Sequence, residues 1–214
     1  MKITKLEHSG IIIEKDGKRV VFDPVEIKGK ISKLENVVAI VITHKHGDHL
    51  QPEVITGIRR NNLAVKIFTT SDTVSLIEDA ISVKSGDSFE VDGFKLDFFG
   101  ENHADIIPGQ TPCENIGVVV DDRIINPGDS FDRPNTRADV LCVAISAPWL
   151  KIVESMNYVK SVRPKIVIPM HDAFLSEFGE SVSGSWMEKA CDEVGADYKE
   201  LRPGESITDN VESL

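Results

Sequence analysis

The chain has 214 residues, and its 24 Lys and Arg against 35 Asp and Glu give a net charge of −11. A surface this acidic repels phosphate backbones, so nucleic acid is not an expected partner. The three cysteines are not closely spaced, which predicts a reducing, cytoplasmic environment without a disulfide framework. No apolar run is long enough for a signal peptide or a membrane span. We therefore expect a single soluble domain over residues 1–214 with no membrane partner.

Two polar residues follow the first predicted strands. Weak alternation over residues 2–8 predicts a strand, and apolar runs on either side of Asp16-Gly17 predict a β-hairpin. Asp23 lies where the second hairpin strand ends. It is either a carboxylate that orients a metal-ligating histidine or an ordinary turn residue. His8 ends the first strand, and it either lines the same cleft or is a polar group without a functional role.

Residues 43–49, Thr-His-Lys-His-Gly-Asp-His, hold three of the six histidines and one carboxylate. His44 and His46 are two positions apart, so in extended chain their side chains point the same way. The glycine then lets Asp48 and His49 turn back toward the same point. Imidazole and carboxylate are ligands that zinc and related metals prefer. Four such groups exceed what one metal with an open position needs, which favours two adjacent ions.

Other candidate ligands stand at comparable places in the chain. The apolar run at 37–42 predicts a buried strand directly before the histidine motif, which places the motif at the carboxyl edge of a sheet. His103, Asp129 and His171 each follow a predicted strand in the same way. A lone histidine is usually a surface or core group, and an Asp after glycine is usually a turn residue. Their shared position at strand ends favours metal ligation for all three.

The rest of the chain predicts further hairpins, strands and helices. Hairpins are expected to turn at Asp92-Gly93 and at Asp121-Asp122, and further strands are expected at 63–69, 140–146 and 165–171. Helices are expected to begin at Pro52 and at Ser71, and the apolar face of the second should reach Ile81. A third helix is expected to begin at Trp149, with the Trp149 side chain in the core. The last is expected to begin at Ser185, which has capping-box spacing to Glu188.

Substrate contacts are expected from the loops at 104–114, 130–138 and 172–184, which should wall the cleft. Arg133 and Arg137 are candidate contacts for an anionic substrate, and the alternative is that both are solvated loop residues. Lys45, Asp105 and Asp172 are candidate proton donors for the leaving group by position only, and the alternative is that each is a surface or supporting residue. The sequence does not name the substrate.

With these residues placed, the chain resembles the metallo-β-lactamase superfamily. The signature reads as His44-x-His46-x-Asp48-His49, followed by His103, Asp129 and His171. Its order and approximate spacing match over nearly the whole chain. The stretches 126–130 and 164–171 look most like the ascorbate-6-phosphate lactonase-like branch and related uncharacterised metal-dependent hydrolases. Asp129 stands where class B β-lactamases usually have Cys, which argues against antibiotic hydrolysis.

The resemblance implies an α/β fold, a four-layer αββα sandwich, with two divalent metal ions at one edge. It implies that His44, His46 and His103 hold the first ion, that Asp48, His49 and His171 hold the second, and that Asp129 bridges them. Zinc suits this set best, and Mn²⁺ or Fe²⁺ would also fit.

The implied activity is cleavage of a small-metabolite lactone, ester or phosphoester by a hydroxide shared between the ions, with Asp48 orienting it. Two alternatives share the site. One is a metal-binding sensor or interaction protein without turnover. The other is a phosphodiesterase or nuclease, for which the chain shows neither a basic arm nor a positive balance. Oligomeric state is left open.

Overall fold

The computed structural model describes residues 1–27, 31 and 33–208, and these residues form two seven-stranded sheets. The first sheet holds β1 (Lys2–Lys5), β2 (Ile11–Lys15), β3 (Lys18–Phe22), β4 (Val37–Val41), β5 (Lys66–Thr69), β6 (Ile81–Ser82) and β14 (Ser206–Thr208). The second holds β7 (Ser88–Val91), β8 (Phe94–Phe99), β9 (Gly117–Val120), β10 (Ile124–Asn126), β11 (Val140–Ala144), β12 (Ile166–Met170) and β13 (Asp197–Tyr198). The helices in the described residues are α1 (Pro52–Asn61), α2 (Ile152–Val162) and α3 (Glu177–Val194).

Each sheet changes from antiparallel to parallel pairing along its width. In the order β14-β1-β2-β3-β4-β5-β6, pairing is antiparallel up to β3 and parallel from β3 to β6. In the order β13-β12-β11-β10-β9-β8-β7, pairing is antiparallel from β7 to β10 and parallel from β10 to β13. Parallel strands end at the same edge of a sheet, so the residues that follow β3, β4, β10, β11 and β12 can meet.

The apolar side chains sort into layers because successive residues of a strand face opposite sides of the sheet. In β11, Val140 and Cys142 lie in the core between the two sheets, whereas Leu141 and Val143 pack with α2 and α3. Helix α1 buries its apolar face against the outer side of the first sheet. The predicted αββα sandwich is therefore confirmed.

The predicted hairpins form where aspartate and glycine were expected to turn the chain. Asp16 and Gly17 have φ of 52° and 73°, and Asp121 and Asp122 have φ of 51° and 55°. Positive φ at both central residues is the geometry of a two-residue turn that matches strand twist. The turn at Asp92-Gly93 has the same signs.

The helix expected to begin at Ser71 and reach Ile81 is wrong. Only one 3-10 turn, Val74–Leu76, forms there, and Ile81 begins β6. The Ser71 hydroxyl does not cap a helix, because it donates to Oε1 of Glu114 at 2.7 Å. A contact between residues so distant in sequence overrides the local pattern, and that local pattern was the only basis for predicting the helix.

The start of the last helix is also corrected. Helix α3 begins at Glu177, and Ser176 caps it by accepting a hydrogen bond from the Gly179 N–H. Ser185 lies inside the helix, where its hydroxyl donates to the Val182 carbonyl at 2.9 Å. Residues 177–184 are thus helical and not a cleft loop. The sequence did not show the helical pattern here, because an apolar residue such as Phe178 is expected to face the core, whereas it is 79% exposed.

None of the described helices combines the length and the apolar character needed to cross a bilayer. Cys113, Cys142 and Cys191 all lie in the described part of the chain, and none forms a disulfide.

Candidate metal centre

The predicted ligands meet at the carboxyl edge of the two sheets. The side chains form three groups, and within each group the ligand atoms lie within 4.8 Å of one another. They are His44 with His46 and His103; His44 with His49 and Asp129; and His8 with Asp48, His49 and His171. All seven residues of the signature belong to at least one group. His44, His49, His103, Asp129 and His171 are buried, whereas His46 and Asp48 are partly exposed.

Three of the histidines carry a buried nitrogen that forms no hydrogen bond, although two of these nitrogens, on His103 and His171, lie 3.3 and 3.0 Å from Asp129 Oδ2. Among the described residues, the Nε2 atoms of His44, His103 and His171 make no hydrogen bond. The Nδ1 atom of each ring faces an oxygen acceptor, at 3.0 Å from Thr43 Oγ1, 2.6 Å from the Ala104 carbonyl and 2.6 Å from the Ser146 carbonyl. Nδ1 therefore carries a hydrogen in each ring, and when the ring is neutral the Nε2 lone pair points into the cluster. Buried polar atoms are rarely left unpaired, so this donor set fits a metal ion.

Asp129 lies between the groups. Its Oδ1 is 3.3 Å from His49 Nε2, and its Oδ2 is 3.3 Å from His103 Nε2 and 3.0 Å from His171 Nε2. Burial alone would raise the pKa of Asp129, but the surrounding histidines hold it well below its usual range. Gly128 makes this approach feasible, because it has φ of 63° and a Cβ there would collide with Asn115. One carboxylate thus reaches histidines of all three groups.

Asp23 connects two of the candidate ligands, His44 and His49, to the backbone. Its Oδ1 accepts from the Thr43 N–H at 2.8 Å, and its Oδ2 accepts from the Thr43 hydroxyl at 2.8 Å and from His49 Nδ1–H at 2.9 Å. The Thr43 hydroxyl in turn faces His44 Nδ1. Asp23 therefore has the contacts expected of a carboxylate that orients these two histidines.

The carboxylates set the charge of the histidines in the metal-free protein. Burial alone would lower the pKa of His49, yet Asp129 and Asp23 raise it to about 10. Burial opposes the shift at His171 as well, where Asp129 and Asp48 raise the pKa to about 9. The pKa of His44 lies well below its usual range, because burial dominates there. His49 and His171 must lose protons before they can ligate a metal.

Trp149 was assigned to the core of a helix, and that prediction is wrong. It precedes α2, and its indole N–H donates to Asp129 Oδ2 at 3.1 Å. Its ring also packs edge-on against His103 and against Phe131. Helical spacing from Ile152 onward suggested a core position. The clue to its actual position was that Trp149 follows a predicted strand end, as the ligands do.

Two further residues were missed. The Cys113 thiol lies 3.7 Å from His46 Nε2, and the Asn115 side chain accepts from the Asp129 N–H at 3.0 Å. Cys113 lies in the irregular loop at 104–114 and Asn115 directly follows it, where no local pattern marks a functional position.

The substrate-side candidates lie in different places. Arg133 and Arg137 line a surface depression together with Ser161 and Arg163 near the end of α2, and no ligand candidate lines that depression. Their role in substrate binding stays a prediction. Lys45 pairs with Asp72 at 2.7 Å, and the side chain of Asp172 accepts from the buried Lys5 Nζ at 3.2 Å, so these two of the three candidate proton donors are already engaged.

Comparison with known proteins gives one family. The model of a beta-lactamase superfamily domain matches residues 2–171. The chain is similar to Protein Rv0786c of Mycobacterium tuberculosis, with 30% identity over 182 residues that cover 82% of this chain and 86% of that protein. It is 28% identical to a UPF0173 metal-dependent hydrolase of Pelotomaculum thermopropionicum, over 97% of this chain and 99% of that protein.

A solved structure shows the same fold. Igni18, a metallo hydrolase from the hyperthermophilic archaeon Ignicoccus hospitalis, matches with a TM-score of 0.72 and 20% identity, over 96% of this chain and 97% of that one.

Proposed function

Because the chain belongs to the β-lactamase superfamily, we propose that it is a metal-dependent hydrolase whose histidine and carboxylate cluster holds two divalent cations. The observation that carries this proposal is the convergence of imidazole and carboxylate ligand atoms within each compact group, together with the buried Nε2 of His44, which has no hydrogen-bond partner among the described residues. Relatives whose names describe them as metal-dependent hydrolases support the same activity.

The ligands divide into two groups in this proposal. His44, His46 and His103 hold the first cation, and their ligand atoms form one compact group. Asp48, His49 and His171 hold the second. Asp129 serves both, because its two oxygens approach histidines of each group. A donor set dominated by imidazole favours zinc, and the carboxylates also admit manganese or iron.

The chemistry follows from this donor set. Two divalent cations would lower the pKa of a water molecule between them and polarise a carbonyl or phosphoryl oxygen of the substrate. The chain's own residues then hold the ligands in place. Asp23 fixes the ring of His49, and the Trp149 indole N–H holds one oxygen of Asp129. Asp48 is partly exposed and so can face the substrate as well as the cluster.

The substrate in this proposal is a small lactone, ester or phosphoester with a negative charge. Neutral histidines add no charge, so two divalent cations exceed the combined charge of the ligand carboxylates Asp48 and Asp129 and of a bound hydroxide by about one unit. A local positive excess would attract an anionic small molecule despite the acidic surface. Nucleic acid is not proposed as a substrate, because the whole chain has a net charge of −11 and a long phosphate backbone would meet that surface.

Hydrolysis of generic substrates tests the proposal. Zinc-loaded protein is assayed with p-nitrophenyl acetate, a simple lactone and bis(p-nitrophenyl) phosphate. Turnover of at least one should disappear on chelation and return with zinc. His103→Ala should lose it, whereas Asp139→Asn should keep it, because Asp139 pairs with Lys165 at the opposite end of β11. Protein that holds its metals but turns over none of the three would instead favour a sensor or interaction protein.

A further inference from the structure

The histidine outside the signature, His8, belongs to the same cluster. It is 2% exposed and follows β1 with φ of 56°, which is uncommon for a residue other than glycine. We propose that His8 is a positioning residue, whose Nε2–H holds the carboxylate of Asp48, and that it is not a metal ligand. This inference deepens the proposed function and rests on the same metal centre.

The backbone of His8 is fixed from two sides. Its carbonyl accepts from the buried Lys5 Nζ at 2.5 Å and from the His171 N–H at 3.2 Å. Lys5 Nζ also donates to the Leu6 carbonyl and to Asp172. Residues held in a rarely populated backbone region persist when the surroundings determine them, and they concentrate at functional sites. The imidazole ring is thereby brought to the edge of the cluster.

The hydrogen bonds of the ring decide which nitrogen carries the hydrogen. The Ala173 N–H points at His8 Nδ1 from 3.3 Å, so Nδ1 must accept and cannot carry hydrogen. In a neutral ring the hydrogen then lies on Nε2, which is 3.2 Å from Asp48 Oδ2. This is the opposite arrangement to His44, His103 and His171, whose Nδ1 atoms face oxygen acceptors. His8 therefore donates toward the cluster, where those three rings present lone pairs.

The same reasoning argues against His8 as a fourth ligand of the second cation. One of its ring nitrogens does lie within 4.8 Å of the ligand atoms of Asp48, His49 and His171. Ligation through Nε2 would need that nitrogen to be unprotonated, and a neutral ring would then carry its hydrogen on Nδ1. Two N–H groups would face each other at the Ala173 contact, which leaves a buried donor without an acceptor.

The consequence for Asp48 is a restricted carboxylate. Its side chain is 32% exposed, and a partly solvated carboxylate can rotate away from a metal. The hydrogen bond from His8 engages Oδ2, the oxygen that also lies 3.5 Å from His171 Nε2, and so fixes the orientation of the carboxylate at the edge of the cluster. The ring is itself held in place by a tilted contact with His171, with centroids 3.9 Å apart, and by an edge contact with Phe174. Losing such a supporting hydrogen bond typically costs about 10–100-fold in metal affinity or activity.

Two variants separate positioning from ligation. The amide nitrogen of His8→Gln occupies about the place of Nε2 and can donate to Asp48, whereas His8→Asn carries an amide that is too short and tolerates positive φ well. At saturating zinc we expect two ions in both variants. His8→Asn should lose about 10–100-fold in affinity for the second ion and in kcat, and His8→Gln should recover most of that loss. Loss of one ion from both variants, or an Asn variant with wild-type behaviour, would overturn the proposal.

A measurement on the unaltered protein does not depend on turnover or on variant folding. ¹⁵N-histidine NMR of zinc-loaded protein should show His8 protonated at Nε2, and His44, His103 and His171 protonated at Nδ1. An Nδ1-protonated His8 would overturn the inference even if the enzyme is active. Protein without any hydrolytic turnover but with the expected His8 tautomer would refute the proposed function and leave this inference standing.

Discussion

Replacing Asp23 with asparagine should weaken the second cation selectively. The side chain is 1% exposed, and its two oxygens accept three hydrogen bonds, two from Thr43 and one from His49 Nδ1–H. Asn has one carbonyl oxygen, so either orientation places its NH₂ group against a donor. The carboxylate's bond to His49 is also lost as a charge-assisted contact. Such bonds contribute about 1.5–3 kcal/mol, which corresponds to roughly 10–150-fold in affinity.

The assay is a competition titration with a chromophoric chelator, followed by elemental analysis at saturating zinc. Asp23→Asn should still bind two ions at saturation, with the second bound about 10–100-fold more weakly. Asp129→Ala should instead lower the number of bound ions, because it removes the carboxylate shared by both groups. Asp139→Asn is the control for loss of one carboxylate elsewhere. Equal loss of metal in the Asp23 and Asp129 variants, or unchanged affinity in Asp23→Asn, would refute this division of roles.

Other consequences can be tested in the same preparations. Trp149→Phe removes the indole hydrogen bond to the bridging carboxylate, so kcat should fall by about 10-fold with both ions retained, and an unchanged kcat would contradict this role. Carboxylates raise the pKa of His49 to about 10 and of His171 to about 9, so zinc binding at pH 7.5 should release protons, and zinc affinity should rise with pH up to about these pKa values. Calorimetry in buffers of different ionisation enthalpy measures the proton release, and its absence would refute this prediction. Arg133→Ala or Arg137→Ala should raise KM for an anionic substrate more than for a neutral one of the same shape, and equal effects on both would remove these residues from the substrate site.

The sequence predicted the elements whose signals are local. Turns at Asp16-Gly17 and Asp121-Asp122 formed because aspartate and glycine tolerate positive φ. The buried strand before His44 was evident from a continuous apolar run, and its place in the first sheet explains why the ligands lie at a sheet edge. The signature residues were therefore found in advance, and the structure places them in one cluster.

The errors arose where distant contacts decide the structure. Ser71 bonds to Glu114 across 43 positions, and no local pattern predicts such a contact. Trp149 stands at helical spacing from the residues of α2, yet in the folded chain its indole N–H donates to Asp129 at the sheet edge. The tautomer of His8 depends on the Ala173 N–H, which lies 165 positions away. Such contacts require the folded chain, so the sequence left the role of His8 open.

Metal content is the most direct test of the central claim that this cluster is a dinuclear centre. Protein expressed in metal-replete medium and purified without chelator should contain close to two transition-metal ions per chain by elemental analysis, and His103→Ala should contain fewer. A value near zero in the unaltered protein would contradict the metal centre itself. A value near one that does not rise on adding zinc would contradict the two-ion arrangement with Asp129 between the ions.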